Sequence, residues 1–462
     1  MKRIFIFLSV LYFSVLSAPA DELKKITILQ TADIHSRTGT DSLPGIRQLA
    51  SALNSERNNS GGPGKCLIVD CGDILQGSFA GSSSRGAVGL SFLNELKYDV
   101  WIPGNHDFDF GTDRFLEVMK SSSAHVIAAN LYLDGKRPAS SWKVIEKNGV
   151  RIAVIGMTSP SLDKWHWGKN SYGITSSTFS DPLDEIIPEV MESKCDMIIL
   201  AIHQGLFQSD RSDFNMNRIA EKYPQIDLVL GAHTHQPAPG ETTGVSSWFA
   251  QPDAYCASFS LIKAQVDTLK HKTVKIESQL VSVPASGAGN FKFSNKLENL
   301  LSNLSDESRR EVIFLKNEVS ADELNKMTAE AYFMLSPKAV SALIMPQERI
   351  IKPGKFTEDD LCWTFPFEDT LCSIDLTDED LRLIQEEAAR LKDGTRFDLV
   401  KNDRLSPAGR KTIALSSYLL AGAGGRIRSL ANFAKDPACH ATDTGVTLRD
   451  VFRNCLKKNF PK

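Results

Sequence analysis

DVWIPGNHDFD, residues 99–109, joins an apolar run, Val100 to Ile102, to a dense polar block, Asn105, His106, Asp107 and Asp109. Short runs rich in β-branched and aromatic residues are predicted to be buried strands. Four other stretches repeat the design: KKITILQTADIHS (24–36), KCLIVDCGD (65–73), DMIILAIHQG (196–205) and IDLVLGAHTHQ (226–236). In each, the Ile/Val/Leu-rich run ends where an Asp, Asn or His begins. Consecutive strands of a layered α/β sheet deliver their C-terminal ends to one edge. Asp33, His35, Asp73, Asn105, His203, His233 and His235 are therefore predicted to converge in one crevice, although they span two hundred positions of sequence.

The residue types point to a chemistry. Mixed carboxylate, imidazole and amide ligands suit borderline divalent ions such as Mn, Zn, Fe or Co rather than an all-thiolate site. Two such ions about 3.5–4 Å apart need a shared ligand. A carboxylate, with two oxygens and a full charge, is the best bridge, and Asp73 is the candidate. Such a pair lowers the pKa of a bound water, binds phosphoryl oxygens and stabilises the charge that develops at phosphorus. The departing alkoxide still needs a proton. His106, with Asp109 three residues on to orient and charge its imidazole, fits a general acid.

These residues carry a family resemblance. Asp33-x-His35, Gly72-Asp73, Gly104-Asn105-His106-Asp107, His203 and Gly231-x-His233-x-His235 resemble the calcineurin-like metallophosphoesterases. The extended block from Asn105 to Asp109, followed by a second domain, is similar to the 5'-nucleotidase branch. The resemblance implies a four-layer α/β/β/α sandwich followed by a second α/β domain. It implies that Asp33, His35, Asp73 and His235 bind one ion and that Asp73, Asn105, His203 and His233 bind the other. It also implies that His106 is the catalytic histidine and Asp109 its partner.

At the N-terminus, Lys2 and Arg3 precede an apolar run from Ile4 to Leu16, and Ala18-Pro19-Ala20 offers a small-residue cleavage site. This pattern predicts a secretory signal peptide over residues 1–20. The run is short of the roughly 20 apolar residues that a membrane span needs. Loss of Lys2 and Arg3 moves the formal net charge from -3 to -5, and no basic patch suggests a nucleic-acid polymer or an anionic membrane as partner. The mature protein is expected to be exported, periplasmic or extracellular, without a membrane span. Oligomeric state is not legible.

Export bears on the eight cysteines. An even count in an oxidising compartment permits disulfides, with Cys66/Cys71, Cys362/Cys372 and Cys439/Cys455 as candidates near in sequence. Cys71, inside a ligand block, is expected to have a packing or disulfide role, because the other ligands complete two coordination shells.

Residues 21–462 are too many for one core and predict two domains, 21–290 and 316–462, joined by a linker helix in 291–315. Beyond the polar stretch Phe291 to Arg310, helical patterns at Ala321–Leu335 and Thr377–Leu391 alternate with apolar runs at Thr370–Leu376 and Thr412–Leu415. Here the resemblance thins. In 5'-nucleotidases this domain supplies an arginine-lined phosphate pocket and two stacking rings. Phe367 falls where the first ring belongs, or is a core aromatic. Ala342 to Arg349 stands where the family has a glycine-rich loop ending in arginine, and only Arg349 survives. Glu323 replaces a phosphate-binding arginine, where a carboxylate repels. Arg426 and Ile427 stand where the second ring is expected; Arg426 can stack on a base, hold a phosphate, or be a solvated loop charge.

The leading expectation is an exported, metal-dependent phosphoester hydrolase of the 5'-nucleotidase type, acting on nucleotides or another small phosphoester. The alternatives are a 2',3'-cyclic nucleotide phosphodiesterase or sugar-phosphate hydrolase with the same centre, and a non-catalytic binding module on the same fold.

Overall fold

The computed structural model describes residues 23–459 apart from 41, 161, 166, 168–172, 207–214, 245, 287–290, 392–394 and 403–408; the expected signal peptide lies outside the described residues. Three parallel strands, β1 (Leu23–Thr31), β2 (Cys66–Asp70) and β3 (Val100–Trp101), lie in one six-stranded sheet. Three more, β4 (Val150–Met157), β5 (Met197–Ile202) and β6 (Leu228–Leu230), run parallel in a second. The sheets pack face to face through Ile28, Val69 and Ile102 on one side and Val154, Ile199 and Leu230 on the other.

Helices cover both outer faces. Alternation along the strand makes this possible: Ile152 and Val154 point between the sheets, whereas Ala153 and Ile155 meet the helix Ser180–Glu192 through Leu183 and Ile186. On the far side, helices Ile46–Asn59 and Ala87–Glu95 bury Leu49, Leu53, Phe92 and Leu93. A central strand buried on both faces reads as a continuous apolar run, which is why these segments stand out in the sequence. The layers are α/β/β/α.

Helix Asn295–Ser308 begins at Ser294, whose hydroxyl accepts from Leu297 N. Its stripe Leu297, Leu301 and Leu304 enters the outer core of the first sheet, so this connecting helix is packed rather than free.

A mixed five-stranded sheet follows, in the order Asp398–Lys401, Ser341–Ile344, Lys411–Ser416, Thr370–Leu376, Thr442–Thr447. Helices Ala321–Leu335 and Leu448–Asn459 cover one face through Leu324, Tyr332 and Phe452. Helices Asp378–Ala389 and Arg428–Phe433 cover the other through Leu381, Ile384 and Leu430. Capping boxes start two of these helices, Ser320 with Glu323 and Thr377 with Asp380. Glu323 thus has a structural task at a helix start.

The three disulfides entertained from sequence do not form: all eight cysteines are buried and unbonded. Cys66 and Cys71 face opposite sides of the first sheet, toward the helices and toward the second sheet respectively. Cys439 and Cys455 lie in the cores on opposite faces of the five-stranded sheet. Among the described residues, no helix is long and apolar enough to cross a membrane.

The two domains meet directly. The Arg37 guanidinium is held between the Tyr255 ring, 4.8 Å away, and the Trp363 ring of the second domain, 3.6 Å away. Gln76 Nε2 donates to the Pro366 carbonyl across the same boundary.

Candidate active site

Because the central strands are parallel within each sheet, every polar block emerges at a strand C-terminus, on the edge where the sheets meet. Asp33, His35, Asp73, His233 and His235 all have φ between 52° and 73°. L-residues adopt this left-handed region at a cost, so its use at five of the candidate positions requires surroundings that hold the backbone there. Backbone bonds lock it in place: Asp33 N donates to Gly72 O (2.9 Å) and His35 N to Asp73 O (2.8 Å). Gly72 and Gly104 permit the close approach. A Cβ on Gly104 would stand 2.2 Å from Asp73 Oδ1, and one on Gly72 2.6 Å from His203 Nδ1.

The side chains form two adjoining clusters, Asp33/His35/His235 and Asp73/His203/His233, with the donor atoms inside each within 4.8 Å of one another. His35 Nε2 faces His235 Nε2 at 3.3 Å, and His235 Nε2 lies 3.4 Å from Asp33 Oδ1. His203 Nε2 lies 3.1 Å from Asp73 Oδ2 and 3.9 Å from Asp33 Oδ1, so Asp33 borders both clusters.

The donor set fits two divalent cations. His35 Nδ1 donates to Gln76 O and His203 Nδ1 to Cys71 O, both at 2.7 Å. A carbonyl only accepts, so Nδ1 carries the proton and Nε2 presents a lone pair to the cluster in each neutral ring. His203 Nε2 is buried without a hydrogen bond of acceptable angle, although it faces a carboxylate. Burial pushes His35 down to about 4 and His233 down to about 3, which keeps both rings neutral. Burial opposes a charge on His203 too, but Asp73 and Asp33 pull it up to about 10. Two buried carboxylates thus demand positive charge here, and a proton on His203 supplies it when no metal does.

Asn105 is buried beside these groups, and its Oδ1 accepts from Ser159 Oγ at 3.2 Å. His106 lines the adjoining cavity. Its Nδ1 sits 3.1 Å from Asp109 Oδ2, and its backbone N donates to Asp73 Oδ1 at 2.7 Å. Burial disfavours the imidazolium, but Asp109 and Asp73 outweigh it and raise the ring to about 9. With Nδ1 engaged, Nε2 is the nitrogen that can meet a bound ester.

Sequence reasoning missed the supports. Asp107 accepts from four backbone amides, those of Asp73, Ile74, Leu75 and Gly104, at 2.8–3.0 Å. It therefore ties the Asp73 loop to the Asn105–Asp109 block. Its place inside DVWIPGNHDFD was the only signal. Tyr255 packs on His35 and His235, with centroids 5.2 and 5.0 Å away, and no sequence signal marks it.

A cavity of about 470 Å³ opens from these groups toward the second domain. Phe367 and Arg426 line it. One face of Phe367 is already covered, because the ring stacks on His106. Arg426 Nη1 donates to Tyr418 Oη (3.1 Å) and Ala423 O (3.3 Å). Arg349 is not among the lining residues. Its guanidinium serves Asp360, donating to the backbone oxygen and to Oδ1, each at 3.2 Å, at the start of helix Glu358–Thr364. Arg349 is thus a helix tie and does not line the cavity.

Residues 26–237 match the family model of the calcineurin-like phosphoesterases. The chain is 28% identical over 234 residues to a 5'-nucleotidase of Vibrio cholerae, covering 47% of this chain and 41% of that protein. It is 25% identical over 247 residues to a 2',3'-cyclic-nucleotide 2'-phosphodiesterase/3'-nucleotidase of Salmonella typhimurium, covering 47% and 37%. The chain thus spans less than half the length of these curated relatives. Solved structures match through both domains. A 5'-nucleotidase precursor of Thermus thermophilus superimposes with TM-score 0.71 at 15% identity, covering 94% of this chain and 97% of that one. A sulfate thiohydrolase from the same genus and species gives 0.69 at 15% identity, covering 96% and 95%.

Proposed function

Residues 26–237 match the family model of the calcineurin-like phosphoesterases, and from that likeness we propose that this protein is an exported, metal-dependent phosphoester hydrolase of the 5'-nucleotidase type. It releases phosphate from nucleotides or related small phosphoesters. The observation that carries the reading is the meeting of two adjoining ligand clusters with the His106–Asp109 pair at one end of a single cavity. In this reading residues 21–290 form the hydrolytic domain, 291–315 the connecting helix and its flanks, and 316–462 the substrate-binding domain. Export rests on the sequence pattern of residues 1–20.

Asp33, His35, Asp73 and His235 would hold one ion, and Asp73, Asn105, His203 and His233 the other. Two divalent ions bound there supply Lewis acidity toward the phosphoryl oxygens and an activated water. The protein's own groups do the rest. Asp109 fixes the His106 ring and favours its protonated form. His106 then gives a proton to the departing oxygen, or stabilises its charge. Ser159 orients the Asn105 amide, and Asp107 holds the backbone that presents Asp73.

The test is inorganic phosphate release by residues 21–462 from AMP, 2',3'-cyclic AMP and several sugar phosphates, each with Mn, Zn or a chelator. Metal-dependent release that falls about 10²- to 10⁴-fold in His106→Asn supports the reading. Undiminished release in His106→Asn or Asp73→Ala would sink it. The similarity to the Salmonella cyclic phosphodiesterase favours a second reading, in which the cyclic ester is the better substrate.

A further inference from the structure

Leu29 and Leu261, on the outer face of the first sheet, are buried in the core that helix Ile46–Asn59 shares. The helix stops at Asn59, and toward the other end of the strands the same face turns polar. Alternation places Lys25 and Thr27 on the side of Leu29, while Ile26 and Ile28 point between the sheets. In strand Ser258–Asp267, Lys263 stands opposite Thr27; Lys275, in strand Lys272–Ser282, stands opposite Gln265. Lys65, in the turn before β2, completes the group, and its stem crosses Gly61, where a Cβ would stand 3.0 Å from Lys65 Cδ. These four lysines line a second cavity, of about 400 Å³. They come from four separate stretches of chain, so no single run of sequence announces them. Asp33 follows the far end of β1, which at a strand rise of roughly 3.3 Å per residue puts this cavity roughly 20–26 Å from the ligand clusters.

Charge in this cavity is unbalanced. Glu277 is the one carboxylate among the described lining residues. It stands opposite Lys263 and its Oε1 meets Lys275 Nζ at 2.5 Å, so it offsets about one of the four cations. Lys25, Lys65 and Lys263 form no ion pair among the described residues. Lys147, whose neighbour Asn148 lines the cavity, shows the contrast: its Nζ donates to Asp99 Oδ1 (2.8 Å) and Pro63 O (2.9 Å). Gathering like charges in a concave site focuses a positive potential that an anion relieves. The side chains of Thr27, Ser60 and Asn148, also in the lining, add hydrogen-bond donors. Among the described lining residues there is no aromatic ring and no arginine. Recognition here would therefore run through ammonium point charges, and neither base stacking nor a planar guanidinium fork would contribute.

We propose that this cavity is an anion site, separate from the cavity between the domains, for a small oxyanion carrying several negative charges, of the class of linked phosphates. A concave site of this volume suits a small ligand rather than a flat macromolecular surface. The site is independent of the hydrolytic reading, because none of its residues belongs to the ligand clusters.

Calorimetric titration of tripolyphosphate, pyrophosphate and inorganic phosphate into metal-free protein, residues 21–462, tests it. Binding is expected to tighten as the charge on the ligand rises and to weaken as salt is added. The double variant Lys65→Gln/Lys263→Gln should bind tripolyphosphate about five- to thirtyfold more weakly, and Arg426→Ala, in the cavity between the domains, should bind it as wild type does. Both lysines are exposed, so the double variant should fold, with thermal unfolding unchanged. Lys65→Arg/Lys263→Arg, which keeps both charges, should retain most of the affinity. Absence of tripolyphosphate binding, equal affinity in the glutamine variant, or binding lost in Arg426→Ala but not in the glutamine variant overturns the proposal.

Discussion

Phe367 of the second domain lies flat on His106 of the first, with ring centroids 4.2 Å apart and planes 6° from parallel. Raised to about 9 by Asp109 and Asp73, His106 presents a cationic ring to an aromatic face. Docking of the second domain therefore completes the surroundings of the proposed proton donor. Phe367→Ala is expected to lower kcat by about three- to thirtyfold, the range of a partly desolvated cation–π contact. Phe367→Tyr should retain most of the activity. Steady-state kinetics on AMP check this, and an unchanged kcat in the alanine variant contradicts it.

Asp107 is expected to matter more for structure than its exposure to substrate suggests. Asp107→Ala strands the buried amides of Asp73, Ile74, Leu75 and Gly104, at a cost of roughly 3–5 kcal/mol. Thermal unfolding should register the loss, and calorimetry should find Mn binding weakened together with it. Asp107→Asn, which keeps one oxygen acceptor, should fall between the two.

The Arg37 stack links domain contact to the ligand clusters. Trp363 caps Arg37, Arg37 covers Tyr255, and Tyr255 packs on His35 and His235. Trp363→Ala removes the second-domain ring from a buried guanidinium and should cost about 1–2 kcal/mol. Accelerated proteolysis between the domains and weaker Mn binding are the expected readouts. If proteolysis and metal affinity match wild type, the stack does not couple the two.

Asp227 provides a test of pH dependence away from the site. Burial raises its carboxyl to about 6 in the folded protein, while Oδ2 accepts from Ile198 N at 2.8 Å. Between about pH 4 and 6 the folded state therefore binds more protons than the unfolded state, and stability falls as pH rises through this window. Asp227→Asn keeps an acceptor for Ile198 and removes the charge. It should be more stable than wild type by about 1–3 kcal/mol at pH 7, with the advantage disappearing near pH 4. Urea titrations at the two pH values decide it.

The ligand blocks were legible because their cause is local. A strand buried on both faces must be apolar, and the residue at which burial ends can be polar. The places where β1, β2, β3, β5 and β6 stop are therefore written in the chain, and parallel pairing gathers them at one edge. The helices Ala321–Leu335 and Asp378–Ala389 were legible for the same reason, through their periodicity and the Ser320 and Thr377 caps. Nearness in sequence misled for the cysteines. Cys66 and Cys71 are five positions apart, an odd offset that sends them to opposite faces of the sheet.

What only the tertiary structure decided is what each block leans on. Asp107 gathers amides from two loops, Arg349 turns to Asp360, Phe367 covers His106, and Trp165 finds Tyr418 more than two hundred and fifty residues away. These contacts follow from how separately folded layers and domains dock. Docking geometry is a sum of many weak, long-range packing terms that leave no periodic or compositional mark on any one stretch of sequence. The pattern of candidate metal ligands was set by local burial, and the cavity wall by the meeting of two domains.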